Sequence, residues 1–452
     1  MKPIAKIIAV SAFLALCSPS LADELLVPTQ YPTIQSAIDA AIDGDTIIVA
    51  PGTYTGEGNR DIDFLGKAIT VRSETGPENC IINCNGTEAE PHRGFYFHNN
   101  EDANSILEGF TIIGGYGGGI LCRQSSPTIS KCRIINNYAA SGGGIACIDS
   151  NAIFSNCIIK GNHTDGCASD GGGIYCRGGS PIISCCDITG NWTRDRSGGG
   201  IYCRESSPTI INCRVVGNFG REDGGGIACV FNSNPVITGC TIASNKGGGI
   251  SGSMKITNSI LWGNEAQTGA EVYGSGADIT YSDVQGSWPG QGNIDADPCF
   301  VEPGYWDVNG LWLDGDYHLK SAGWRWDSVR DRWDYDDVTS RCIDTGNPGS
   351  PLGEELLSVP DDPDNIWGQN LRIDMGAYGG TAEASMPPYD WALLADLNND
   401  GLVNLEDYAF QIAGWLNSAD QQPGDLNRDG LVDISDLALL VEDWLRQTTW
   451  HE

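Results

Sequence analysis

The chain is poor in positive charge. Of its 452 residues only 26 are Lys or Arg, against 59 Asp or Glu, so the formal net charge is −33. Nucleic acid is excluded as a partner, because its phosphates need Lys and Arg to displace counterions. Docking on anionic lipid is excluded on the same ground. Histidine is also scarce. His92, His98, His163, His318 and His451 are scattered, with no zinc-ligand or catalytic-triad spacing. After the first 22 residues no apolar run reaches the ~18 residues of a membrane span. None of the Gly-rich blocks joins a strand to a helix as Gly-x-Gly-x-x-Gly, so none is a nucleotide loop.

What is plentiful is small side chains, with 60 Gly and 17 Cys. No Gly-X-Y period exists, which excludes collagen. Apolar residues make up 40% of the chain, which excludes disorder. Lys2 and Lys6, the short apolar run Ile7 to Leu16, and Ser20-Leu21-Ala22 read as an export signal over residues 1–22, cleaved after Ala22. The expected location is secreted, extracellular or at the cell surface, where disulfides can form.

A repeat fills the middle of the chain. Six Gly-Gly-Gly-Ile blocks place Ile at 120, 145, 174, 201, 227 and 250, at intervals of 25, 29, 27, 26 and 23. Cys122, Cys147, Cys176, Cys203 and Cys229 follow two residues later. Cys132, Cys157, Cys186, Cys213 and Cys240 keep the same step, as do Asn137, Asn162, Asn191, Asn218, Asn245 and Asn264. Self-similarity at this period means a solenoid. Each repeat holds three short runs of period-2 alternation with β-branched residues, which predicts three strands per coil. Stacked coils ~4.8 Å apart turn repeated residues into ladders. Inward Ile and Cys fill the core, Gly permits the corner, and Asn stacks at a turn.

Together these repeats resemble the right-handed parallel β-helix family, especially secreted bacterial proteins with Gly-Gly-Gly-Ile and Cys-x-Ile-x-Gly-Asn coils. Tyr31 to Ile38, then Gly44 to Tyr54, is similar to the family's capping helix and first coil. Asp297-Pro-Cys-Phe300, Asp316 to Lys320, Cys342-Ile-Asp344 and Asp374 to Tyr378 look like its closing tail. The resemblance implies an all-β solenoid over 23–286 and a closing region over 287–384. Neither Asn-Thr-Asp nor Gly-His-Gly, found in pectin-cleaving hydrolases of this fold, occurs.

The C-terminus has a different pattern. Residues 396–407 and 425–436 carry oxygen side chains at positions 1, 3, 5, 9 and 12, with Gly at position 6. These are Asp396, Asn398, Asp400, Asn404 and Asp407, then Asp425, Asn427, Asp429, Asp433 and Asp436, with the carbonyls of Leu402 and Leu431 at position 7. The spacing supplies the oxygens that a hard cation such as Ca²⁺ takes, one ion per loop. Apolar helices are expected over Asp407–Leu416 and Asp436–Leu445. The duplicated loop with one helix each resembles a type I dockerin, here 385–452. That resemblance implies two calcium ions and a cohesin-like or cell-surface partner, read through positions 10 and 11. These positions are Leu405-Glu406 and Ile434-Ser435, not the usual small polar pairs. Thr381 to Asp390 reads as a linker.

Candidate ligand positions lie on outward ladders. Tyr138, His163, Trp192 and Phe219 each follow a ladder Asn, with Lys246 next. They form either a platform for sugar rings or a stack that seals a corner. Arg123, Arg177 and Arg204, beside Tyr175 and Tyr202, form a second stripe expected to be exposed. It suits acidic saccharides or is simply a solvated edge. Asp170 and Asp223 share a coil position two rungs apart, ~9.6 Å between backbones, within reach of a glycosidase pair. A lyase would place a base beside Arg or Ca²⁺, for which Asp195, Arg196 and Arg221 are the candidates. Seven of the 13 Trp fall between Trp288 and Trp367, as end caps or sugar stackers. Stacked ladder Cys read as packing residues; Cys80 with Cys84 and Cys299 with Cys342 are the better disulfide candidates, the connectivity being open from sequence. The function reading is therefore a solenoid that binds or processes extracellular polysaccharide, held through its calcium module. The alternatives are a β-helix polysaccharide lyase or glycoside hydrolase, and a non-catalytic adhesin.

Overall fold

The computed structural model describes residues 22–166, 170–194, 197–221, 223–267, 269–357, 368–418 and 421–450. Residues 1–21 of the expected export signal, and Asp195 and Arg196, lie outside them. Three parallel sheets of 11, 9 and 10 strands run along the solenoid, each taking one strand per coil. The register follows the repeat. Cys122, Cys147, Cys176, Cys203 and Cys229 stand opposite one another in one sheet. Ile134, Ile159, Ile188, Val215 and Ile242 do so in another. These residues are buried in one continuous core. The small thiol lets three sheets approach closely where a larger side chain would overfill.

At the N-terminal end helix α1, Ile34–Ala40, buries Ile34, Ala37 and Ile38 over the first coil. Thr33 and Ser36 cap it reciprocally, side chain to backbone N–H. Strand Glu24–Val27, ahead of α1, pairs in parallel with Thr46–Val49.

The described cysteines are all free thiols, so the two candidate disulfides are not formed. Cys80 and Cys84 are each buried in the core as small apolar groups. Cys342 instead meets Asp283 Oδ2 at 3.2 Å through Sγ.

The asparagine ladder is a continuous hydrogen-bonded chain. The Asn162 backbone N–H donates to Asn191 Oδ1 at 2.9 Å, and Asn162 Nδ2 donates to the same oxygen at 3.0 Å. Nδ2 also donates back one rung, to the Ile134 carbonyl at 2.8 Å. The pattern repeats from Asn137 through Asn245. All of these asparagines are buried. At one end Asn137 Oδ1 accepts the Gly115 N–H at 2.9 Å. At the other, the backbone N–H of Asn264 donates to Glu271 Oε1 at 3.0 Å, and Asn264 Nδ2 donates to Oε2. Losing one rung would strand buried amide donors at a cost of ~1–3 kcal/mol each.

The closing region wraps back on the solenoid. Hairpins pair Phe300–Glu302 with Asp316–Leu319, Tyr305–Trp306 with Trp312–Leu313, and Arg325–Asp327 with Arg332–Asp334. The expected linker is a buried strap, not a free tether. Ala384, Ser385 and Met386 are buried, and Met386 N–H donates to the Trp324 carbonyl at 2.7 Å. The middle of the segment, 384–387, packs, while Tyr389 near its end stays exposed.

Two short helices follow, α2 at Leu405–Ala413 and α3 at Ile434–Glu442. They begin two residues before the expected starts, because Asn404 and Asp433 act as N-caps. They also end earlier than expected, at Gly414 and Asp443. Both loops dock on the solenoid end through their fourth position. Asn399 Nδ2 donates to the Gly292 and Thr345 carbonyls at 2.7 and 2.8 Å. Arg428 Nε donates to the Pro348 carbonyl at 3.0 Å. The buried Arg372 guanidinium donates to the Asp396 carbonyl at 2.7 Å, and Tyr281 OH to the Leu397 carbonyl at 2.9 Å. No helix among the described residues is long and apolar enough to cross a membrane.

Glu271 gives the ladder a pH signature. Burial raises its carboxyl from 4.5 to about 7, against the hydrogen bonds from Asn264. The stabilisation tied to its protonated form is complete below the unfolded value and is lost as pH rises through about 7. Denaturant unfolding should show stability falling over that window, by about 3 kcal/mol at most. Glu271→Gln should flatten the profile, and an unchanged slope in that variant refutes the assignment.

Candidate functional site

The residues after the ladder asparagines form a fourth, narrow sheet. Tyr138–Ala139, His163–Thr164 and Trp192–Thr193 pair in parallel, and isolated bridges extend the series to Phe219, Lys246 and Glu265. The backbone register brings the rings together. Tyr116 and Tyr138 centroids are 4.3 Å apart, Tyr138 and His163 5.1 Å, and His163 and Trp192 4.6 Å, the last pair parallel within 9°. Burial lowers the His163 pKa, which favours the neutral ring in the stack. Trp192 remains 36% exposed.

Beside this stack runs a strip of bare backbone. Gly161, Gly190 and Gly217 have φ of +64°, +61° and +59°, a conformation that favours glycine. The Tyr305–Trp306/Trp312–Leu313 hairpin crosses the strip from the closing region. The Trp312 ring lies on Gly217 so closely that a Cβ there would sit 1.9 Å from it. Trp306 Nε1 donates to the Ser244 carbonyl at 3.1 Å, and Lys246 Nζ lies over the Trp306 ring at 4.8 Å. The stack, strip and hairpin enclose a groove of about 490 Å³, lined among others by Asn136, Gly161, Trp192, Phe219, Trp306 and Trp312. Two tryptophans expected either as end caps or as sugar stackers thus line the flank of the solenoid. Their position was not readable, because Trp312 meets Gly190 and Gly217, and Trp306 meets Ser244 and Lys246, only through long-range folding.

Phe219 and Lys246 are shared with a second pocket of about 530 Å³, which adds Arg221, Asp223, Glu265 and Tyr273. The structure therefore brings together Phe219, Arg221 and Asp223 from the sequence-derived candidates. It does not pair Asp170 with Asp223. Asp170 is buried and lines neither pocket, whereas Asp223 lines the second.

The other stripe is only partly open. Arg123 and Arg177 are exposed, and the Arg204 guanidinium lies 4.6 Å over the Phe231 ring. Tyr175 and Tyr202, expected to be exposed, are buried and stacked at 5.8 Å. The Gly loops roof them, with a Cβ at Gly198 falling 2.8 Å from the Tyr202 Cβ.

In the C-terminal module each loop is shaped by its own carboxylates. Asp396 accepts the backbone N–H groups of Asp400 and Gly401 at 3.2 and 2.9 Å, and Asp425 accepts those of Asp429 and Gly430 at 3.1 and 2.9 Å. Asp407 and Asp436, at position 12, are fully buried and cap their helices from within. Burial raises Asp396 to about 6; Asp407 and Asp400 add to the rise, and Arg372 opposes it. Among the described residues no group of three His, Cys, Asp or Glu side chains is placed to hold a metal on its own. The loop pattern does not rely on carboxylates alone, since it adds Asn398, Asn404 and the Leu402 carbonyl in the first loop, and Asn427 and the Leu431 carbonyl in the second. Oxygen donors gathered around mutually repelling carboxylates fit a hard cation in donor chemistry. From position 10 of each loop to just past α2 and α3, the two halves present matching exposed apolar residues. Leu405 and Ile434 are 69% and 66% exposed, and Ile412, Trp415, Val441 and Trp444 are exposed beside them.

The hairpin's placement has a direct test. Gly217→Ala should push Trp312 off the strip and shift tryptophan emission to the red while the β circular-dichroism signal persists. Unchanged emission would show that Trp312 is not held there.

Among solved structures the chain is similar to that of pectate lyase Pel9A, at 16% identity and TM-score 0.49, over 79% of this chain and 96% of that one. It is also similar to the PL6 family alginate lyase AlyGC, at 14% identity and TM-score 0.22, over 71% of this chain and 57% of that one. No curated protein matches. The sequence model described as "Right handed beta helix region" matches residues 41–173 and 167–290. With its three parallel sheets and its in-register ladders, the chain belongs to the right-handed β-helix family.

Proposed function

We propose that this is an exported protein that holds extracellular polysaccharide in the groove beside the aromatic stack. The supporting observation is the groove itself, where Trp192, Phe219, Trp306 and Trp312 meet around bare glycine backbone. Indole and phenyl faces are large, apolar and rigid, and sugar rings present C–H faces that stack on them. The concave flank offers length along the solenoid as well as depth.

The C-terminal module supplies attachment in this reading. Asp396, Asn398, Asp400, Leu402, Asn404 and Asp407 hold one Ca²⁺. Asp425, Asn427, Asp429, Leu431, Asp433 and Asp436 hold the second. Calcium held by these residues would offset the charge of the clustered carboxylates, and the loops from which α2 and α3 start would then be fixed. Their exposed apolar residues then face a cohesin-like or cell-surface protein.

A second reading, a polysaccharide lyase or glycoside hydrolase, draws on the charged pocket that adjoins the groove. Arg221 and Lys246 offer cations, and Asp223 and Glu265 offer carboxylates, within one lining. Elimination would use a base beside a cation; hydrolysis would use the carboxylates as acid and base or nucleophile.

Affinity electrophoresis against soluble glycans tests the first reading. At least one polymer should retard the protein, and Trp192→Ala should weaken that retardation by about tenfold, the scale of ~1.4 kcal/mol. If retardation is absent throughout, or indifferent to Trp192, the groove reading fails. For the module, adding Ca²⁺ to the full chain should raise its melting temperature, and Asp396→Asn with Asp425→Asn should abolish the rise. A melting curve that ignores both Ca²⁺ and chelator rejects the calcium assignment.

A further inference from the structure

We infer that the groove takes a neutral glycan, seated on the glycine strip at Gly161 and Gly190. The inference rests on the polysaccharide reading above and narrows its ligand class.

The first argument is shape. Gly161, Gly190 and Gly217 repeat one coil apart, so the strip is backbone without side chains, beside Trp192 and Phe219 of the aromatic series. Trp312 already uses part of it, with its ring lying directly on Gly217. A ring with a flat apolar face is therefore what the strip accommodates. Trp312 also reaches Gly190, where a Cβ would stand 3.5 Å from its Cβ and Cδ1, and Asn136 Oδ1 lies beside Gly161, yet Gly190, Gly161 and Asn136 still line the groove. A pyranose there would rest on backbone, stack against Trp192 and meet the Asn136 amide. Asn136 is exposed and can donate to or accept from ring hydroxyls.

The second argument is charge. Among the described residues Lys246 is the one charged residue lining this groove, and its ammonium lies over the Trp306 ring. The nearby arginines are matched by carboxylates. Arg194 pairs with Asp165 at 2.8 Å, and Arg214 with Asp187 at 2.6 Å. The adjoining pocket sets Arg221 and Lys246 against Asp223 and Glu265, leaving no net charge. Recognition of a polyuronate would want unmatched Arg placed along the polymer. The formal charge of −33 would also repel a polyanion, all the more at low salt.

The inference bears on chemistry too. Elimination from a polysaccharide removes a C5 proton made acidic by an adjacent carboxyl group. A neutral glycan has no such carboxyl, so turnover of this ligand would be hydrolytic. Water would add across the glycosidic bond, giving one new reducing end and one free hydroxyl.

Binding can be measured by affinity electrophoresis and calorimetry with a neutral β-glucan, xyloglucan and galactomannan, against polygalacturonate and alginate. Each would be run at low and at moderate salt, with wild type, Trp192→Ala and Asn136→Ala. The expected result is binding to a neutral polymer that changes less than twofold with salt. It should weaken about tenfold in Trp192→Ala and severalfold in Asn136→Ala, with melting temperatures unchanged. Preference for a polyuronate, lost on adding salt yet still dependent on Trp192, would overturn the neutral assignment and leave the groove reading standing. Absence of binding to every polymer would overturn both.

Discussion

The buried amide chain of Asn137 through Asn264 sets the geometry on which the rest of the solenoid depends. Each Asn side chain bonds to the next rung and to the one before, so it fixes both the spacing of the coils and their rotation. A buried amide with an unmet donor is costly, so the corner has little freedom to slip. Everything one residue further on inherits that rigidity. The rings of Tyr138, His163 and Trp192 are stacked because the asparagines before them are. The chain is also directional, beginning at the Gly115 N–H and ending on a carboxylate that takes two donors.

The cysteine ladders play a complementary part. They are soft, small and buried, and they set how near the three sheets come. Amide corners and thiol walls thus divide the work of direction and packing. Glycine then makes the corner passable and leaves bare backbone where a side chain would stand. The site arises from this division, since the strip is open where glycine, and not Asn136 or Ser244, takes the left-handed corner position.

Much of this was legible in the sequence because a solenoid turns sequence period into spatial neighbourhood. The step from Ile120 to Ile145 is also the step from one rung to the next, so the Cys, Ile and Asn ladders could be read directly. The aromatic series after each Asn was legible for the same reason. What escaped was whatever depended on chain folding back across the repeat. Nothing local ties Trp312 to Gly217, so its ring on that backbone has no periodic signature. Tyr175 and Tyr202 alternate outward, yet the Gly triplets, through Gly171 and Gly198, pack over them. Pro387 and Pro388 suggested a free linker, but Met386 beside them is a buried anchor. The loop starts at Asp396 and Asp425 were plain, whereas their docking through Asn399 and Arg428 uses positions that the ligand pattern leaves unspecified.

That docking changes the mechanics of attachment. The fourth residue of each loop grips carbonyls of the closing region, and Arg372 and Tyr281 donate to carbonyls of the first loop beside it. A module on a slack chain would let its cargo swivel. Here α2 and α3 hold a set direction relative to the long axis of the coils. A partner gripping those helices would therefore aim the groove as well as anchor it. In the proposed attachment, a pull on that partner would load these hydrogen bonds together.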